Sequence, residues 1–563
     1  MDAQTRQGIA HRLMSTRAYR VVRALFLCYL ALSFAGAPRN VMYYWGLPDP
    51  THYFSYHPDE IFLLLPSFGF AQGDWNPHFF SYGTLYIYLV GIPAVILGQV
   101  PDPSRFPTDL RPLYELGRAV SVWMGVATLF LLYFSLRREG RWLAFLSAAF
   151  LAVCPLHVVT SGYATVDVPA TFFIVTAFWL ALWGAGRPDA KRGALVGLAV
   201  GLAAATKYNA GLFIIPALLS PLLVRPATWR PSWLAAGIGG AALGFIIGCP
   251  FFWTKEFVRG VLFEAQHAQV GGTFAFVGTG SGWAYHLTHG LPVALGYPLL
   301  AAAAFGVIAA LRLPSRAARL SLVWVVFYLL VIGFSKERFI RYLVPVTPAL
   351  CVLAASFVTY LYSRRPKVLR VLACALVLLV MGLTLSYAML RAPVVRPSEV
   401  EDAIFKACWI DPRDLAWQTI SDLVNPPQSR FRVGLVQAPW YFHPPVSPFN
   451  AGPFSKPWFD KWNQETGSRV VITGWDSQKL LAERPAFFFL SDLESQDLIR
   501  LRDPAAVGFV STLDRLYQKK VAYERPGPTK WGWLVPPRSL APPDWLYPDP
   551  RITMYYKPRP KEP

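Results

Sequence analysis

The chain is poor in charge and poorer still in acid. Of its 563 residues 15% are charged, and 53 Lys and Arg outnumber 33 Asp and Glu. A soluble globular protein carries roughly 25% charged residues, so an ordinary cytosolic enzyme is excluded. A disordered chain needs low hydrophobicity, and 54% of this one is hydrophobic. Cysteine is scarce, six in all, and Cys28, Cys154, Cys249, Cys351 and Cys374 fall in apolar runs. Cys408 stands alone in polar sequence, which excludes a disulfide scaffold. No CxxC or zinc-finger spacing occurs, and no Walker A or Rossmann fingerprint is placed to bind a nucleotide.

What is abundant is apolar and aromatic: aromatics make up 15%, with 20 Trp, under a net charge of +20. That charge fits nucleic acid or an anionic membrane, and its placement decides between them. Apolar runs follow one another to about residue 390. They read as eleven spans, near 18–37, 118–136, 142–160, 168–185, 193–206, 209–224, 232–250, 291–311, 320–334, 342–361 and 369–389. The run 18–37 reads as a span rather than a cleaved leader, because no small-residue cleavage site precedes a soluble domain. The segment 84–99 reads as interfacial. Six short segments, 1–23, 137–141, 187–192, 225–230, 312–319 and 364–370, hold 20 basic and 3 acidic residues. With 84–99 outside the count all six share one side, which the positive-inside rule makes cytoplasmic.

The opposite face carries long loops at 38–117 and 251–290, with balanced charge. Eight of nine histidines lie there or in the tail. The expected organisation is a transmembrane unit, 1–391, and a soluble extracytoplasmic α/β domain, 392–563. In the latter, 432–437, 469–474, 486–490 and 551–556 read as strands, and 476–484 and 492–502 as short helices.

Chemistry-bearing side chains gather at the outer ends of the spans. Tyr56-His57-Pro58-Asp59-Glu60 sets two adjacent carboxylates before an apolar run. A carboxylate at a membrane surface can take a proton from a hydroxyl; a solvated acidic start to an interfacial helix is the other reading. Asp167 lies between apolar helices, where an unpaired acid is costly. Lys207 is a lone cation on the face that disfavours lysine; it either grips an anion or snorkels. Arg338 and Arg341 share a face if 336–342 is helical, and paired guanidiniums suit phosphate oxygens. Pairing with Glu337 or lipid headgroups is the alternative. Asn76 and His78 follow Asp74, and Glu264 and His267 are three apart. His78, Glu264 and His267 are the candidate ligands of a divalent metal, two of them alone being too few for a site.

Taken in order, YHPDE (56–60), NPHFFSYGTLYIYL (76–89), VTSGYATVDVPATFF (159–173), GLAAATKYNAGLFIIP (201–216) and KERFIRYLVPVTPAL (336–350) resemble a family. It is that of the polytopic glycosyltransferases using polyprenyl-phosphate sugars. The family includes protein O-mannosyltransferases and the aminoarabinose transferase of lipid A, with the GT-C fold. The resemblance covers about residues 15–390, and DWLYPDPRITMYY (544–556) looks like the soluble domain some members append. It implies inverting sugar transfer on the outer face of the plasma (inner) membrane, onto a protein, lipid or glycan, with no nucleic-acid partner. Asp59 would be the base or acceptor-orienting group, supported by Glu60, with Asp167 the second acidic position. Lys207, Arg341 and Arg338 would hold the donor phosphate, and Tyr56, His57, Asn76 and Tyr82 the substrate. His78 and His267 lie near where some members place a metal, without a clear match of ligand type. A transporter or flippase of a lipid-linked or anionic substrate is the competing class, and a glycan polymerase or ligase a third.

Overall fold

The computed structural model describes residues 53–55, 57–100, 110–223, 229–312, 315–384, 412–423, 431–447, 449–450, 456–524, 536–547 and 549–556. The expected span 18–37, the basic segment 1–23 and Tyr56 lie outside the described residues. Helices dominate up to Thr384, and strands with short helices follow from Pro412.

Among the described residues, four helices are long and apolar enough to cross a membrane: Pro112–Leu136, Asp167–Gly184, Pro231–Gly248 and Ile340–Tyr362. Two bent pairs raise the number to six. Arg141–Ala152 turns by 58° into Pro155–Ser161, and Gly282–Leu295 by 117° into Tyr297–Arg312. The first bend follows from Pro155, which bars helical backbone at the residue before it; Cys154 is extended, with ψ 116°. The second follows from Gly296 at φ 72°, open to glycine and strained for other residues.

Other expected spans come out short. Ala190–Thr206 and Arg316–Ile332 have 17 residues each, about 25 Å of helix against a hydrocarbon core of about 30 Å. The run 209–224 is divided between the 3-10 turn Tyr208–Phe213, the helix Ile214–Leu219 and the 3-10 turn Ser220–Leu223. By length and composition, four to six crossings stand among the described residues, where the sequence suggests ten. Leu85–Ile96, in the segment read as interfacial, has 12 residues and reaches about 18 Å.

A glycine seam sets the frame of the site. Helices Ala190–Thr206 and Pro231–Gly248 pack backbone to backbone. A methyl on Gly197 would overlap the Gly237 carbonyl, and one on Gly201 the Ala241 carbonyl. Small residues permit such approach where lipid supplies no hydrophobic drive. The seam ends at Thr206, and Lys207 leaves the helix in extended backbone. The first outer loop rests on this end. A Cβ on Gly83 would overlap the Ala205 carbonyl, and the Thr84 hydroxyl donates to the Gly248 carbonyl at 2.8 Å.

In the C-terminal part, β2 (Val433–Leu435), β4 (Val470–Ile472), β5 (Phe487–Ser491), β6 (Lys519–Tyr523) and β7 (Ile552–Tyr556) form one sheet in the order β4-β2-β5-β7-β6. β2 runs parallel to β4 and β5, while β7 is antiparallel to β5 and β6. Parallel neighbours need crossovers, which the helices Lys456–Glu465 and Ser477–Glu483 supply. β1 (Tyr53–Phe54), in the first outer loop, pairs in parallel with β3 (Phe449–Asn450). Two further ties join the parts. Trp545 is buried in the same apolar core as the spanning helices. The Arg500 guanidinium donates to the carbonyls of Phe274, Ala275 and Val277.

Candidate active site

The first loop turns at Pro58, and the turn closes on itself. The His57 N–H donates to Glu60 Oε2 at 3.3 Å, and the Glu60 N–H donates back to the His57 carbonyl at 3.2 Å. Asp59 thereby becomes the N-cap of the helix Glu60–Leu64, and the two adjacent acids part company. Glu60 is sealed, its side chain 0% exposed. Its oxygens accept from Arg118 Nε and Nη2, both at 2.8 Å, and from the Ala164 N–H at 3.0 Å. Burial opposes its ionisation, but Arg118 and the Ala164 amide outweigh it and hold the carboxyl below its ordinary value.

Asp59 keeps 18% of its side chain exposed. Its Oδ2 accepts from the Tyr82 hydroxyl at 2.8 Å and lies 3.5 Å from Arg341 Nη2. Burial pushes this carboxyl up; Arg341, His57 and Tyr82 more than offset it, so it rests below the usual carboxylate range. His57 Nδ1 accepts from the Asp59 N–H at 3.1 Å, which leaves the ring no proton there. Burial lowers its basicity further, against the pull of Asp59. The ring is flanked by Tyr163 at 5.1 Å and, from the C-terminal part, Tyr547 at 5.0 Å.

Arg341 begins its ion pair from the 3-10 segment Ile340–Val346, with its guanidinium 4.1 Å from the Phe339 ring centroid. Its Nε and Nη1 are buried with no hydrogen-bond partner among the described residues. An unpaired buried donor costs about 1–3 kcal/mol, more when charged, so this arginine is set to receive an anion.

Asp167 opens the helix Asp167–Gly184 and takes Lys207 as its partner, Nζ to Oδ1 at 2.5 Å, both nearly sealed. The ammonium also lies 5.1 Å from the Tyr342 ring centroid. Lys207 is therefore not the lone outer cation the sequence suggests. Tyr208 holds the first loop against this corner, its hydroxyl donating to the carbonyls of Phe80 and Tyr82 at 2.9 and 3.0 Å.

Glu60 is locked to Arg118 and the Ala164 amide rather than open to the site. Two expectations are corrected. Arg338 does not share a helical face with Arg341, because regular structure starts only at Ile340. It turns away to Thr279 and the Tyr285 ring, 5.9 Å from its centroid. The trio His78, Glu264 and His267 does not converge. His78 spends both ring nitrogens, each at 2.9 Å, on Asp74 and Glu256, and Asn76 joins it through Glu256 at 3.0 Å. His267 instead faces Glu337 at 3.7 Å. No cluster of three or more metal-type side chains occurs among the described residues, so the described residues offer no set of ligands that fits a resident metal. Glu264 stands on the helix Lys255–Val270 and feels Asp59, Lys207 and Arg341 electrostatically. Burial pushes its carboxyl up against the pull of His267.

Arg118, Asp544, Tyr163 and Tyr547 also stand at the site and are not singled out by the sequence. Arg118 carried a signal, a guanidinium at the start of an apolar run needing a buried anion. Asp544 and Tyr547 carried none short of the tertiary fold.

Residues 115–253 match the family model described as dolichyl-phosphate-mannose-protein mannosyltransferase. The match holds Arg118, Asp167 and Lys207 and leaves Asp59 and Arg341 outside. It bears out the resemblance drawn from the motifs, and the class it describes is the glycosyltransferase class expected from them. No curated protein sequence matches. Among solved structures, the apo oligosaccharyltransferase of Archaeoglobus fulgidus is similar at TM-score 0.49 and 13% identity, over 93% of this chain and 76% of that one. ArnT of Cupriavidus metallidurans in the apo state is similar at TM-score 0.46 and 15% identity, over 96% and 98%. The same protein bound to undecaprenyl phosphate gives TM-score 0.48 over the same shares.

Proposed function

We propose that the chain is an integral membrane glycosyltransferase that moves a sugar from a polyprenyl-phosphate donor to an acceptor hydroxyl on the extracytoplasmic face, with inversion. The observation that carries this reading is the Asp59–Arg341 pair. One partly exposed carboxylate lies beside a guanidinium with two buried, unpartnered N–H groups.

The chemistry follows from that juxtaposition. The acceptor oxygen attacks the anomeric carbon while Asp59 takes its proton. The bond from that carbon to the phosphate oxygen breaks, and the electron pair leaves with polyprenyl phosphate. Arg341 offers Nε–H and Nη1–H to the charge that grows there. Asp167 and Lys207 form a buried neutral pair whose ammonium acts on Asp59 electrostatically, and Glu60 with Arg118 fixes the turn that aims Asp59. Asp167 and Glu60 are sealed in close ion pairs, whereas Asp59 keeps 18% of its side chain exposed, so it is the one of the three expected acids open to an acceptor. A single displacement through one carboxylate inverts the anomeric centre. The acceptor class, protein, lipid or glycan, is set by chemistry outside this pair.

Orientation rests on charge. The short basic segments sum to +17, the opposite loops to zero and the tail to +3, which puts the N-terminus in the cytoplasm and the site and C-terminal unit outside the plasma membrane. The test is Asp59→Asn in proteoliposomes with a polyprenyl-phosphate sugar. Transfer should fall by ~10²–10⁴-fold, and the wild-type product should show the inverted anomer by NMR. Full activity in the variant would reject the assignment.

A further inference from the structure

The 3-10 segment Ile340–Val346 that presents Arg341 has no local cap: no side chain near it in sequence accepts its first N–H groups. Its cap comes from 203 residues downstream. Asp544 Oδ1 accepts from the Ile340 N–H at 2.9 Å, and Oδ2 from the Arg341 N–H at 3.0 Å. Both oxygens thus grip two successive amides, one belonging to the arginine beside Asp59. We propose that Asp544 is a positioning residue for sugar transfer. Through it the C-terminal unit sets the backbone of Arg341 and so the direction of the two unpartnered N–H groups. This inference rests on the reading of Arg341 as the donor-phosphate ligand.

Three observations support a built contact. Asp544 is 7% exposed and enters on the short turn Pro543–Leu546. Its neighbour Trp545 is 1% exposed and belongs to the core of the spanning helices, so the turn is anchored from below. Tyr547 sets its ring edge against His57, whose Nδ1 holds the Asp59 amide. One turn of the tail therefore touches both sides of the Asp59–Arg341 pair. A carboxylate accepting backbone N–H groups makes charge-assisted hydrogen bonds, about twice as strong as neutral ones. An arginine whose backbone is pinned by such bonds loses less freedom on binding an anion than one on a free loop. Burial pushes the Asp544 carboxyl up, while Arg341 and the two amides pull it back.

The experiment titrates undecaprenyl phosphate into the full chain in detergent, following tryptophan fluorescence. It compares wild type, Asp544→Asn, Arg341→Ala and the double variant. Asparagine has one accepting oxygen and turns an N–H donor toward the other amide, so Asp544→Asn should weaken binding about tenfold or more. The double variant should be no weaker than Arg341→Ala, because Asp544 acts through that arginine. In turnover the loss should appear in donor KM, with acceptor KM unmoved. Unchanged binding in Asp544→Asn beside a large loss in Arg341→Ala overturns the proposal and leaves the donor-site reading standing. Additive losses in the double variant also overturn it. Unchanged binding in Arg341→Ala removes the donor-site reading and this inference with it. Asp544→Glu is the second variant. If neither it nor Asp544→Asn yields a monodisperse protein, Asp544 holds the fold rather than the arginine, and the proposal is wrong.

Discussion

At the scale of single residues, burial and partner choice separate side chains that look alike in sequence. Asp59 and Glu60 are neighbours, yet one faces Arg341 and Tyr82 while the other is locked to Arg118. Glu60→Gln leaves Arg118 buried without its countercharge, and breaking a buried pair from one side costs ~3–5 kcal/mol. The variant should lose much of its thermal stability in detergent, and activity in proportion to the protein that stays folded. Asp59 gives a pH prediction. Its native carboxyl sits below the ordinary value of 3.8. The stabilisation from its ion pair is therefore complete above that value and lost as pH falls through the lower native one. The acid limb of kcat/KM for sugar transfer should lie below the usual carboxylate range. A limb in the range of ordinary histidine would point to another base. YHPDE made the acid pair legible in sequence, but not which acid would be used, because the deciding guanidinium of Arg118 stands 58 residues away. Lys207 was legible as an anomaly, and its pairing with Asp167, 40 residues back, was not.

At the scale of elements, the seam between Ala190–Thr206 and Pro231–Gly248 fixes where Lys207 and the first loop meet. Gly197→Val would drive a branched side chain into the Gly237 carbonyl. The helices would part at a cost of ~1–3 kcal/mol or more, read as a lower melting midpoint together with lower transfer activity. Strands were legible where alternation and β-branched residues coincide: RVVITG holds β4 and RITMYY holds β7. Helix breaks were less so: Pro155 and Gly296 supply local causes of two bends, but apolar sequence runs on through both, and nothing local marks how far the chain turns there or at 208–213. The segment Lys336–Tyr342 shows the same limit. Spacing put Arg338 and Arg341 on one face, but the chain stays irregular to Phe339 and sends them to different neighbours.

At the scale of the whole molecule, the site is assembled from four distant stretches: the first loop with Asp59, the helix ends with Asp167 and Lys207, the segment with Arg341, and the tail turn with Asp544 and Tyr547. The low charge and the one-sided basic segments were enough to suggest a membrane chain with its chemistry on one face. The joining of tail to site rests on pairings more than 200 residues apart, which no local pattern encodes. The central claim is that this assembly breaks the bond between sugar and lipid phosphate rather than moving the lipid intact. The most direct measurement incubates purified protein in liposomes with a radiolabelled polyprenyl-phosphate sugar and an acceptor, then separates free lipid phosphate from donor. Free polyprenyl phosphate should appear in step with sugar on the acceptor, and neither should form with Asp59→Asn. Intact donor crossing the bilayer with no lipid phosphate released would contradict it.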